Sequence, residues 1–129
     1  MKLNVLLCLI VAVSLMGCVK KAENFQTMNI DYDLIGGLGS PSPEIKMSNI
    51  PKGTAFLRVT MTDLDLTSFD HGGGTVAYTG GDIIPEGALK GYRGPEPPAG
   101  GHSYQIVVQA LNSDKSLILG EGKLTKRYP

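Results

Sequence analysis

Residues Tyr104 to Leu111 read Tyr104-Gln105-Ile106-Val107-Val108-Gln109-Ala110-Leu111. Through Ile106-Val107-Val108 the run is apolar on both faces of an extended backbone, as in a strand at the centre of a sheet. A central strand needs neighbours, and alternation elsewhere supplies them. From Ala55 to Thr62, Leu57, Val59 and Met61 face one way while Arg58, Thr60 and Thr62 face the other. Met28, Ile30, Tyr32 and Leu34 alternate with Asn29, Asp31 and Asp33. Ile45, Met47 and Ile50 begin another strand, and Thr75 to Tyr78 a short one. Asn112-Ser113-Asp114-Lys115 has the composition of a hairpin turn, with Leu117 to Thr125 returning antiparallel. No segment holds helical periodicity over three turns, and no internal repeat is present. The 17 glycines and 8 prolines fit many turns, including a loop at Gly36–Pro43 and a tight turn at Pro51-Lys52-Gly53. The expected fold is all-β, an antiparallel β-sandwich with Greek-key-type connections and little helix.

The N-terminus follows a different logic. Lys2 precedes a nearly unbroken apolar run from Val5 to Leu15. Spanning a bilayer takes about 20 apolar residues, so this run has the length of a signal-peptide core instead. Leu15-Met16-Gly17-Cys18 resembles a bacterial lipobox, and the cysteine falls where the apolar run stops. An ordinary secretory signal with an incidental cysteine is the other reading. The resemblance implies a signal peptide over residues 1–17, diacylglyceryl on the Cys18 thiol, and a lipidated tether over 18–24. Two or more acyl chains give lasting membrane attachment. Val19, where an aspartate would favour inner-membrane retention, implies an outer-membrane location facing the periplasm. Removing 17 of 129 residues leaves 112, enough for one small domain over 25–129. Cys8 leaves with the signal, so the acylated mature chain has no disulfide.

Charge excludes one class of partner. Lys and Arg number 12, Asp and Glu also 12, and the basic pairs Lys20-Lys21 and Lys126-Arg127 are isolated. With no tryptophan and three phenylalanines, neither a phosphate-tracking stripe nor a stacking platform is available to nucleic acid.

The stretch from Gly91 to Tyr104 carries the binding signal. Pro95, Pro97 and Pro98 stiffen a loop, Gly100-Gly101 let it turn, and His102 stands at its exit. Together with Ser42-Pro43-Glu44-Ile45, Ile50-Pro51-Lys52-Gly53-Thr54, Thr62-Asp63-Leu64-Asp65, Asp70-His71 and the closing Gly122–Pro129, this order of motifs resembles the phosphatidylethanolamine-binding protein family. The branch is the bacterial YbhB/YbcL one, often labelled Raf-kinase-inhibitor-like, and the resemblance covers residues 27–129. It implies a ligand pocket at Asp63, His71, Gly94, Pro98, His102 and Tyr104, with Asp65 and Glu96 secondary.

Each position also has a plain chemical reading. An imidazole, neutral or charged, donates a hydrogen bond to a phosphate-like oxygen. Asp63 repels an anion, but it makes sense as the acceptor that fixes the tautomer of His71 or His102. It also suits a turn cap, and both roles can hold. Asp65 reads as a structural turn carboxylate. Tyr104 offers its hydroxyl. Gly94 and Pro98 place backbone, and Arg93 is a solvated loop charge. Glu96 at the mouth weakens simple phosphate binding and favours a zwitterion carrying an amine.

Three departures from the family pattern stand out. Asp63-Leu64-Asp65-Leu66-Thr67 lacks both prolines of the family turn, which should loosen it. His71-Gly72-Gly73-Gly74 lacks the usual aromatic after the histidine, which removes a pocket wall. Residues 111–124 leave no room for the extra helix many members carry.

No cofactor or metal is expected, since tight ligand pairs of the His-x3-His kind are missing. No nucleophile elbow is present, and a shared acid–base task for Asp63 and Asp65 is not expected. The leading expectation is therefore non-catalytic binding of a small anionic or phosphorylated head group. A protein-interaction or inhibitor module, a homodimer included, is the alternative, and a hydrolase the third.

Overall fold

The structure, a computed structural model, describes residues 19–97 and 100–129. The signal segment, Cys18 and Pro98 lie outside the described residues. Eight strands appear in chain order and no helix among these residues: β1 (Lys20–Thr27), β2 (Asn29–Tyr32), β3 (Ile45–Ser48), β4 (Phe56–Asp63), β5 (Asp70–Ala77), β6 (Ile83–Ile84), β7 (His102–Leu111) and β8 (Leu117–Tyr128). They make a five-stranded sheet in the order β1-β8-β7-β4-β5 and a three-stranded sheet in the order β2-β3-β6.

The run that is apolar on both faces is the middle strand of the larger sheet. Tyr104, Ile106, Val108 and Ala110 face inward and are buried, while Val107 is half-buried on the opposite face. Leu57, Val59 and Met61 join them from β4, as alternation requires. The smaller sheet closes the core with Tyr32, Ile45, Met47 and Ile84, and the loop after it adds Leu89 and Tyr92.

Two features depart from the sequence reading. The sheet is mixed: β1 pairs with β8 in parallel, Lys20 opposite Leu117. The expected tether over 18–24 is instead largely strand. Its polar side chains disguise it, because an edge strand is held by its backbone ladder and leaves most side chains in water. Likewise the predicted Thr75–Tyr78 strand is the end of a longer one whose first half is glycine-rich.

The register fixes two ends of the large sheet. At one end His102 lies opposite Tyr128, and Asp63 opposite Tyr104. At the other, Leu111 lies opposite Phe56 and Ile118.

Candidate functional site

At the first of these ends β4 stops on Asp63. The Asp63 carboxylate is buried at 2 % exposure and works in two directions. Its Oδ1 accepts from the backbone NH groups of Asp65 at 2.9 Å and Leu66 at 3.0 Å, which caps the turn. Its Oδ2 lies 2.6 Å from His102 Nδ1. Both roles read from the sequence hold, with His102 and not His71 as the partner. Burial works to raise the Asp63 carboxyl. Hydrogen bonds from His102 and Asp65, with the charge of His102, outweigh it and hold the group below the usual carboxylate range.

The turn after Asp63 is braced without prolines. Asp65 Oδ2 accepts from Ser103 NH at 2.7 Å, and Leu64 NH donates to Ser103 O at 2.8 Å. The turn keeps Asp63 and Asp65 close, as residues two apart on one face of an extended chain are. Ligand atoms of Asp63, Asp65 and His102 lie within 4.8 Å of one another. This chemistry suits structure better than a cation, because Asp63 Oδ2, His102 Nδ1 and Asp65 Oδ2 each already serve a protein hydrogen bond.

His71 arrives from β5 through a register slip. Thr60 pairs with Gly73 and Thr62 with Asp70, so β5 carries one extra residue there, a β-bulge. Gly72 takes φ +64°, and a Cβ on it would meet Gly91 O at 2.1 Å, so only glycine fits. The bulge turns His71 into the interior at 3 % exposure. Its Nδ1 lies 2.7 Å from Arg93 O, and Arg93 NH returns a bond to His71 O at 2.9 Å.

Tyr104 sits between the two imidazoles. Its ring meets His71 edge-on at 5.2 Å and His102 at 6.4 Å. Burial first, then the Asp63 charge, pushes its phenol up to about 12, so it keeps its proton at neutral pH. Phe69 packs against His71 with ring centres 4.6 Å apart and planes tilted by 54°, and carries the Arg93 guanidinium 4.9 Å above its ring. The aromatic wall missing after His71 is thus supplied two residues before it. Arg93 is not only a solvated charge.

These groups surround a pocket of about 60 Å³ lined by Asp63, His71 and Tyr104, with Leu38, Leu66, Phe69, Glu96 and Pro97 around them. On the measure by which one water needs about 10–15 Å³, the space holds a few waters or one phosphoryl- or ammonium-sized group. His102 is not in its wall and reaches it through Asp63. Gly94 is not in the wall either. It is buried against Gly37 and Ser40, and Gly37 NH donates to Pro95 O at 2.8 Å. Leu38 NH donates to Glu96 Oε2 at 3.2 Å, so the 36–43 loop clasps the proline loop.

Leu38, Leu66 and Phe69 escaped the sequence reading, while Pro97 falls within the 94–98 stretch it took as a wall. Phe69 was detectable, since it lies just before β5 and residues two apart share a face in extended chain. Nothing local marked Leu38.

One expectation needs correction. A carbonyl or carboxylate oxygen only accepts, so Nδ1 of each histidine carries the proton in these bonds. When neutral, both rings present Nε2 as an acceptor. They donate to an anion only as imidazolium.

A family model described as Phosphatidylethanolamine-binding protein matches residues 19–127. No curated protein matches. Among solved structures, the chain is similar to a putative phosphatidylethanolamine-binding protein homologue from Chlamydia trachomatis, at 16% identity and TM-score 0.58, covering 80% of this chain and 97% of that one. It is also similar to YbcL of E. coli, a member of the mammalian PEBP family, at 19% identity and TM-score 0.58, covering 78% of this chain and 97% of that one.

Proposed function

The chain belongs to the phosphatidylethanolamine-binding protein family, and we propose on that footing that it binds a small phosphorylated ligand without catalysis. The observation that carries this reading is the placement of Tyr104 between His71 and His102, each with Nδ1 already bonded and Nε2 left over.

The charge of the lining selects the ligand. Asp63 and Glu96 both face the pocket, so a bare anion meets two carboxylates. A ligand that brings a proton on its own oxygen, or an amine for Glu96, fits better. A phosphoamine such as phosphoethanolamine has both. Its phosphoryl group takes a hydrogen bond from the Tyr104 hydroxyl and from the His71 ring as imidazolium, its ammonium meets Glu96, and His102 acts through Asp63.

The reading places the protein in a bacterial cell envelope, at the outer membrane facing the periplasm, held by lipid on Cys18. Leu38, Leu64 and Leu66 are exposed at the pocket mouth or on the adjoining turn, at 38%, 45% and 44%. This apolar rim favours the second reading, in which a protein partner caps the site.

Titration with phosphate and with phosphoethanolamine, followed through the histidine ring NMR signals, tests the first reading. Both rings should shift, and phosphoethanolamine should act at lower concentration than phosphate. Absence of any shift at millimolar ligand eliminates small-ligand binding. A partner from envelope extract retained by His102→Ala separates rim-driven from pocket-driven association.

A further inference from the structure

We propose that the end of the domain carrying Lys20, Lys21, Lys52 and Lys115 rests on an anionic bilayer, and that the pocket therefore opens away from the membrane that holds the protein. The inference rests on the lipid-anchor and ligand readings above and adds the orientation they leave open.

The first observation is where the chain begins. Lys20 NH donates to Ser116 O at 3.1 Å, and Lys20 pairs with Leu117. A free tether over 18–24 would extend about 23 Å at roughly 3.3 Å per residue. With β1 starting at Lys20, only Val19 separates that strand from Cys18. The described chain thus enters the fold beside the 112–116 turn, and a lipid anchor attached just before Val19 would hold the domain from that end.

The second is where the pocket lies. β7 runs 10 residues from His102 at the site to Leu111 beside that turn. At about 3.4 Å per residue in an antiparallel strand, the site is roughly 30 Å from the anchored end. One intervening residue cannot bring it back to the same surface.

The third is charge. Lys20 and Lys21 open β1, and Lys52 stands in the turn leading into β4. Lys115 sits in the hairpin turn with its ammonium 4.3 Å above the Phe56 ring. Of the carboxylates nearby, Asp114 is engaged by Ser116 NH at 3.0 Å and Ser116 Oγ at 2.5 Å, and Glu23 is exposed on β1. Toward the other end the balance reverses. Asp31, Asp33, Glu44 and Glu86 line one shallow groove with Lys46, and Asp63, Asp65, Asp70 and Glu96 stand at or near the pocket end, outnumbering the Arg93, Lys126 and Arg127 found there. Basic residues near an anionic leaflet are attracted and acidic ones repelled. Anchor and field therefore favour one orientation.

The consequence is for the ligand's source. A head group still attached to a lipid of the host bilayer cannot reach the pocket, so the ligand or partner arrives through the aqueous compartment. The leucine rim then meets a soluble partner, not the supporting bilayer.

The test uses the full chain purified with its lipid and reconstituted in vesicles of phosphatidylethanolamine and phosphatidylglycerol. A fluorophore is placed through Lys115→Cys or, separately, Glu96→Cys, with a quencher fixed in the bilayer. Strong quenching at 115 and little at 96 is expected. Equal quenching, or the reverse, overturns the orientation. Phosphoethanolamine should bind the vesicle-held protein within threefold of its affinity for detergent-held protein, and a tenfold loss on vesicles also overturns it. If phosphoethanolamine binds neither form while the quenching contrast stands, the ligand reading fails and the orientation survives. A mass spectrum lacking acyl chains on Cys18 overturns the proposal, because nothing then fixes that end.

Discussion

Two turns at opposite ends of the large sheet are built from the same local device. After β4, the Asp63 carboxylate accepts from the NH groups of Asp65 and Leu66. After β7, Asn112 Oδ1 accepts from Leu117 NH at 3.0 Å and Asp114 Oδ1 from Ser116 NH at 3.0 Å. Both aspartates sit below the usual carboxylate range, for different reasons. Asp114 is in open solvent and is lowered by the Ser116 side chain and backbone. Asp63 is lowered against the opposing effect of burial, by His102 and the turn amides. The same Asx motif closes a hairpin when its second oxygen faces water, and organises a site when that oxygen is buried against an imidazole from 39 residues away. The difference is tertiary.

Breaking the buried turn should give the largest effect. Asp63→Ala strands two turn amides and the His102 ring, and should cost about 3 kcal/mol, read from the urea midpoint. It should also abolish the response of His102 to phosphoethanolamine. A loss no larger than that of Asn112→Ala would erase the distinction between the turns.

Asp63→Asn is subtler, because the amide oxygen can still cap the turn while the charge is gone. At pH 7 it should cost about 2 kcal/mol, the worth of a hydrogen bond to a charged group. The Asp63 carboxyl is lowered in the folded state. Its stabilisation is therefore full above the ordinary carboxylate value of about 4 and is lost as pH falls through the lower folded value. Wild type and variant should thus converge in acid. A constant gap from pH 7 to pH 2 would show that the charge contributes nothing.

At the exposed turn, Asn112→Ala should cost about 1 kcal/mol, one net hydrogen bond, and leave the histidine signals unchanged. Asp114→Ala should cost less, since water replaces its bonds. Ligand affinity falling in either variant would couple the two ends and break the comparison.

The pocket's contents show how far local signals reach. His71, His102, Tyr104 and Asp63 stood out as polar or aromatic groups at the edges of alternating runs, and the structure gathers them. The bonding partner of Asp63 stayed open, because His71 and His102 are equally plausible until the register of β4, β5 and β7 is set. Asp63 and Asp65 stay close because residues two apart share a face in extended chain, and the turn then bonds one to its own amides and the other to β7. Gly94 was read as approaching a ligand, and instead it approaches the 36–43 loop. Leu38 entered the wall only because that loop folds onto Pro95 and Glu96.

The sequence by itself determined the all-β character, the central place of β7, the hairpin to β8 and the polar residues that make a site. These follow from the period of the side chains and from turn chemistry, both local to the chain. Tertiary structure decided that polar β1 is a strand, that a bulge turns His71 inward, and which nitrogen of each histidine is left for a ligand. Those outcomes depend on backbone groups finding partners far along the chain, and the pattern of side chains does not encode such pairings.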